Sequence, residues 1–167
     1  MRTALFRLGL FLSILSLLAI GSESAVSSID LGSEWLKVAV VNLKPGQTPI
    51  SIAINEMSKR KSPALLAFQS GDRLLGEEAA GIIARYPDKV YSHLRDLLAK
   101  PYKFAKDIID SMYLPFDVVE DSIGAVSFKT DDGTVYSVEE LLAMILKYAS
   151  DLAEFHSKIA VKDAVIM

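Results

Sequence analysis

Between Val138 and Ile159 the residues Val138, Leu141, Leu142, Ile145, Leu146, Ala149, Leu152 and Ile159 recur at helical spacing, a stripe of about six turns. Immediately before it, Ser137-Val-Glu-Glu140 has the form of a capping box, in which a serine side chain and a glutamate three residues on satisfy each other's backbone donors. A helix of that length with one apolar face has to pack on something large. The chain opens with strand-like sequence. Val26–Asp30 and Trp35–Leu43 are rich in β-branched and apolar residues around a turn at Leu31-Gly-Ser-Glu34. Lys44-Pro-Gly-Gln47 predicts a second turn and Pro49–Ile54 a third strand, so three antiparallel strands are expected at the start of the domain.

Farther along, Asn55–Ser62 reads as a polar, basic, solvent-facing loop, Pro63–Phe68 as a strand, and Arg73–Gly76 as a short strand after the Gly71-Asp72 turn. Helices are expected over Glu77–Tyr86, Val90–Leu98 and Ala105–Met112, with Pro87 and Pro101 as stops. Asp117–Glu120 and Ala125–Lys129 are strand-like, and Asp131-Asp-Gly133 turns the chain toward Tyr136. Ala164–Met167 begins a last strand in which the sequence stops, the pattern of a domain that continues beyond it.

Arg2 and Arg7 precede the apolar run Leu8–Ile20, and Gly21-Ser-Glu-Ser-Ala25 supplies small residues. This is the order of a secretory signal peptide, expected to span residues 1–25 with cleavage near Ser24. The run is shorter than the roughly 20 residues that cross a bilayer core, so no membrane attachment is expected after cleavage. With 18 Lys plus Arg against 21 Asp plus Glu, the chain has no basic footprint for nucleic acid. It holds no cysteine, so packing alone has to stabilise the domain at 26–167.

One local pattern suggests chemistry. In Ile29-Asp-Leu-Gly-Ser-Glu-Trp35, Gly32 lets the backbone bend sharply and present successive N–H groups to an anion. Asp30 is placed to hold the waters of a Mg²⁺ that bridges phosphates, and the Ser33 hydroxyl could add a donor. Alone, an Asp-x-Gly turn between two strands is most often only a hairpin corner; Glu34 then is simply solvated and Trp35 a core anchor. Arg95, with Asp96 and His93 beside it, has the plain reading of a surface ion-pair residue. His93 and His156 carry no acidic partner at ligand spacing and receive no role.

From Val26 to Ile166 the chain resembles the heat-shock-70 chaperone family. Ile29-Asp-Leu-Gly32 is similar to that family's first phosphate motif, Asn55–Ser62 with Pro63–Phe68 to its basic loop and following strand, and Arg73-Leu-Leu-Gly76-Glu-Glu-Ala-Ala80 to its strand-to-helix junction. Leu114–Val119, Val138–Met144 and Val161–Ile166 continue the likeness. Gly32-Ser33-Glu34, Arg95 and Lys162–Ile166 resemble the large glucose-regulated, hypoxia-up-regulated branch of the endoplasmic reticulum. That resemblance implies an α/β fold: lobe I of an actin-like, ribonuclease-H-like ATPase, here incomplete. It implies ATP or ADP with Mg²⁺ as ligands, Asp30, Gly32, Ser33, Glu34 and Trp35 as the phosphate-binding hairpin, and Asp30 as the metal's outer ligand. It puts Arg95 where ordinary members carry a catalytic lysine; a planar, forked guanidinium is not equivalent to an ammonium. Unfolded proteins and a partner heat-shock chaperone are the implied partners, engaged through regions beyond Met167. Two other readings stand beside it: a fragment of an actin-superfamily sugar kinase, which opens with a similar hairpin, and a nucleotide-independent, truncated interaction module.

Overall fold

The computed structural model describes residues 24–42, 46 and 48–167. The expected signal peptide therefore lies outside the described residues apart from its last two positions, and so does most of the Lys44–Gln47 turn.

Strands β1 (Ala25–Leu31), β2 (Trp35–Val41) and β3 (Ile50–Ile52) form the expected antiparallel meander. The two-residue strand β4 (Ser62–Pro63) adds to β2. Beyond it lie β5 (Leu66–Gln69) and β6 (Asp72–Leu75), which pair as a hairpin, and β7 (Val90–Tyr91), which pairs with β5. A third sheet is made by β8 (Val118–Glu120), β9 (Val126–Lys129) and β10 (Val135–Ser137). The last strand, β11 (Val161–Ile166), returns to the first sheet and lies parallel to β1. Among the described residues four α-helices and a 3₁₀ turn (Pro87–Lys89) punctuate this order: α1 (Glu77–Ile82), α2 (Leu94–Leu97), α3 (Tyr102–Ser111) and α4 (Val138–Ser157).

The long helix is where its pattern puts it. The Ser137 hydroxyl accepts from Glu140 N–H at 3.1 Å and the Glu140 carboxylate accepts from Ser137 N–H at 2.8 Å, completing the capping box. Val138, Leu141, Leu142, Ile145, Ala149 and Ala153 are buried, and α4 packs against β1 and β2. There it covers Ile29, Leu31, Leu36, Val38 and Val40, all members of the principal core. Ile159 falls outside the helix, because Lys158 takes a left-handed φ of 58° and ends it. The alternation of β1 and β2 leaves the opposite sheet face uncovered: Val26, Val41 and Ile50 form one cross-strand row, Ser28, Ala39 and Ile52 a second, and Asp30 and Lys37 a third.

Two of the expected segments need correction, and a third gains an anchor. The Val90–Leu98 segment is no single helix: Val90–Tyr91 is extended in a strand, and helix begins only at Leu94 after His93 adopts φ 56°. Its apolar residues signal burial rather than period, a known ambiguity of short runs. The Pro63–Phe68 strand is split in two, β4 joining β2 and β5 joining β6. The Asn55–Ser62 loop is solvent-facing over residues 56–61, as expected, and is anchored at its buried ends. Asn55, 5% exposed, accepts from the N–H groups of Met57 and Lys59 at 3.0 and 2.8 Å and donates to the Lys61 carbonyl and Ser62 Oγ, each at 3.3 Å. It is an Asx turn around which the loop folds.

Candidate functional site: the hairpin between the first two strands

The turn between β1 and β2 is closed by one bond across its mouth, from Gly32 N–H to the Trp35 carbonyl at 2.9 Å. A Cβ on Gly32 would stand 2.9 Å from that same oxygen, nearer than carbon and oxygen pack, so a glycine is required by space. The Gly32 amide is thus spent on the ladder, whereas those of Ser33 and Glu34, at the tip, donate to no acceptor among the described residues. Two adjacent, unpaired N–H groups on a sharp bend form a fixed partial positive charge able to take an anion oxygen.

Helix α2 buttresses this turn from 62 residues away. Leu94 and Leu97, three apart, are buried, which fixes the short helix and leaves Arg95 and Asp96 toward the hairpin. Arg95 donates through Nη1 to the Leu31 carbonyl at 3.3 Å and through Nη2 to Ser33 Oγ at 3.0 Å. The Ser33 hydroxyl donates in turn to Asp96 Oδ1 at 2.8 Å, so its hydrogen is occupied and its part here is to hold the turn. Burial pushes the Asp96 carboxyl upward, but hydrogen bonds from Ser33, His93 and Arg95 outweigh it and keep the group below the usual carboxylate range. His93, given no role from sequence, does meet an acid: its Nδ1 lies 3.3 Å from Asp96 Oδ2. Arg95 is an ion-pair residue as well, 3.4 Å from Asp96, and the plain reading of it describes only half of what it touches.

Asp30 lies on the uncovered face, its carboxylate 3.2 Å from Lys37 Nζ and half exposed. An oxygen in that position is accessible to the water shell of a divalent cation, in competition with Lys37. Trp35 is no core anchor: it is 40% exposed, and Lys61 Nζ sits 3.7 Å from its ring centroid. Among the described residues no group of three or more His, Cys, Asp or Glu is placed to hold a metal ion. A hollow of about 350 Å³ opens elsewhere, between the β5–β6 and β9–β10 turns and lined by Phe68, Arg73, Lys89, Asp131 and Tyr136; it shares no residue with the hairpin. Sequence reasoning named Asp30, Gly32, Ser33, Glu34, Trp35 and Arg95; the structure brings Arg95 to Ser33 but pairs Asp30 with Lys37 and Trp35 with Lys61, and sequence reasoning missed Asp96 and Lys61. Their contacts depend on how α2 and the Asn55 loop fold, for which spacing carries no signal.

A meander closed by a parallel return strand, a long helix across it and a tight hairpin with free amides define the class: this is one lobe, incomplete, of an actin-like ATPase. The family model described as Hsp70 protein matches residues 26–167, and the chain belongs to the Hsp70 family. It is 76% identical over 156 residues to heat shock 70 kDa protein 17 of Arabidopsis thaliana, covering 93% of this chain and 18% of the relative. It is also 39% identical over 160 residues to hypoxia up-regulated protein 1 of Xenopus laevis, covering 94% of this chain and 24% of that protein. The corresponding protein of Danio rerio is 37% identical over 169 residues, 99% of this chain and 17% of the relative. The chain therefore spans about a fifth of the length of these curated relatives. The family match argues against the sugar-kinase reading.

Proposed function

We propose that this chain is the amino-terminal part of an ATP-dependent chaperone of the endoplasmic reticulum lumen, from the large hypoxia-up-regulated branch of its family. The observation that carries the reading is the pair of unpaired amides at Ser33 and Glu34 on a hairpin braced by Arg95. Likeness to proteins named hypoxia up-regulated and the signal-peptide order of residues 1–25 support branch and compartment. Ala25, the last residue of the expected 1–25 span, is the first ladder residue of β1, so a cut after Ser24 would keep that strand whole.

In this reading the tip amides bind phosphate oxygens, Gly32 permits the close approach, and Arg95 and Asp96 hold the turn in shape through Ser33. Asp30 orients water around a Mg²⁺, and Trp35 walls the hairpin on its exposed side. Bound ATP supplies the free energy that drives client release and rebinding, and the larger protein also serves a partner heat-shock chaperone as nucleotide exchanger. Residues 26–167 form one wall of the nucleotide cleft, so the chain alone holds ATP weakly and does not hydrolyse it. Exchange of residues 26–167 into the Arabidopsis relative tests this. The chimaera should bind Mg–ATP, and Asp30→Asn and Gly32→Ala should each weaken it. Undiminished ATP affinity in both variants, or micromolar affinity in the 167-residue chain by itself, contradicts the proposal. ATP-independent capture of partners by the chain would instead favour the interaction-module reading.

A further inference from the structure

Lys61 stands out among the cations around the hairpin. Lys37 is matched by Asp30 and Lys59 by Glu77 at 3.0 Å, while Arg95 is held by Leu31, Ser33 and Asp96. Exposed Lys61 has no carboxylate partner among the described residues; its ammonium rests on the Trp35 ring. A cation over an exposed indole is held weakly, less firmly than by a charge-assisted bond to an anion, so the contact is readily exchanged. The antiparallel register, Pro63 facing Trp35 and Ser62 facing Leu36, carries the Lys61 backbone one step farther from the turn, and its side chain reaches back over Trp35, the first residue after the tip, while Asn55 fixes the Lys61 carbonyl and Ser62 from behind. The tip meanwhile carries the exposed carboxylate of Glu34, which repels a polyphosphate and leaves the two free amides to work against it.

We infer that Lys61 is a further phosphate-binding residue of the hairpin, resting on Trp35 when no anion is bound and moving to a polyphosphate oxygen when one is. This rests on the phosphate-hairpin reading above, with a polyanion of the triphosphate class as the ligand. Trp35 is the sole tryptophan of the chain, so its emission reports the departure of the ammonium from its ring. Titrate the full 167-residue chain with inorganic tripolyphosphate, reading heat by calorimetry and emission by fluorescence, and repeat with Lys61→Met and Lys61→Arg. The expected result is a Trp35 emission change in the wild type, binding about 5- to 10-fold weaker in Lys61→Met, and recovery in Lys61→Arg. Equal affinity in wild type and Lys61→Met, with the emission change present in the wild type, overturns the role of Lys61 and leaves the hairpin reading intact. Heat without an emission change shows an anion bound while Lys61 stays on Trp35 and overturns the inference alone; no binding at tens of millimolar removes any site and overturns the inference and the hairpin reading together.

Discussion

Replacement of Gly32 by alanine isolates the geometry on which the hairpin depends. The added Cβ would lie 2.9 Å from the Trp35 carbonyl oxygen, where ordinary contact begins near 3.4 Å, so the mouth of the turn has to open by about half an ångström. The atom in the way is backbone and cannot rotate aside. Opening weakens the Gly32–Trp35 hydrogen bond, worth about 0.5–1.5 kcal/mol, and adds overpacking of about 1–3 kcal/mol. Because the two overlap, the net cost should be about 2 kcal/mol. Gly81 is the control. It lies exposed in α1, and a Cβ there meets nothing within 4 Å, so Gly81→Ala should stabilise by about 0.5–1 kcal/mol through helix propensity alone. Urea unfolding followed by circular dichroism gives both values. A Gly32→Ala chain as stable as the wild type, or a Gly81→Ala chain destabilised as much as Gly32→Ala, would refute the steric account of the turn.

Asn55→Ala should cost about 1–2 kcal/mol, since it removes the bonds that the buried Asn55 side chain accepts from the Met57 and Lys59 amides of an exposed turn; a loss below 0.5 kcal/mol by urea melt, small on the scale of surface substitutions, would show that the loop is not organised by that side chain. Ser27→Ala should raise stability by about 1 kcal/mol, because the wholly buried Ser27 hydroxyl has no hydrogen-bond partner among the described residues, and a destabilised variant would reveal a partner. The depressed Asp96 carboxyl gives an acid dependence of definite sign. Its unfolded form takes a proton near 3.9 while the folded form resists, so its contribution is fully present above that value and is lost as pH falls through the lower folded value. An Asp96→Asn chain should therefore lose less stability than the wild type on acidification, and parallel acid profiles would show that the Ser33–Asp96–Arg95 contacts do not couple to folding.

The fold was legible wherever one period dominates. The capping box at Ser137 and the stripe from Val138 marked α4, because that pattern follows from a single buried face, and the β-branched and apolar runs on either side of the Leu31–Glu34 turn marked β1 and β2. It was illegible where tertiary context overrides short runs. Val90–Tyr91 is apolar enough for either state and is drawn into a strand by pairing with β5. Of the site, the hairpin could be read because a glycine at a bend is a local requirement. Asp96 could not, since its role exists only after Leu94 and Leu97 anchor α2 beside Ser33, and Lys61 was hidden because an Asx turn at Asn55 decides where a basic loop folds.

The most direct measurement is the change in backbone amide resonances of the isotopically labelled chain as Mg–ATP is added. Shifts that begin with Ser33 and Glu34, extend to Trp35 and Arg95, and saturate only at millimolar nucleotide are the expected outcome. A silent hairpin, with the perturbed resonances gathered instead around Arg73 and Lys89, would contradict it.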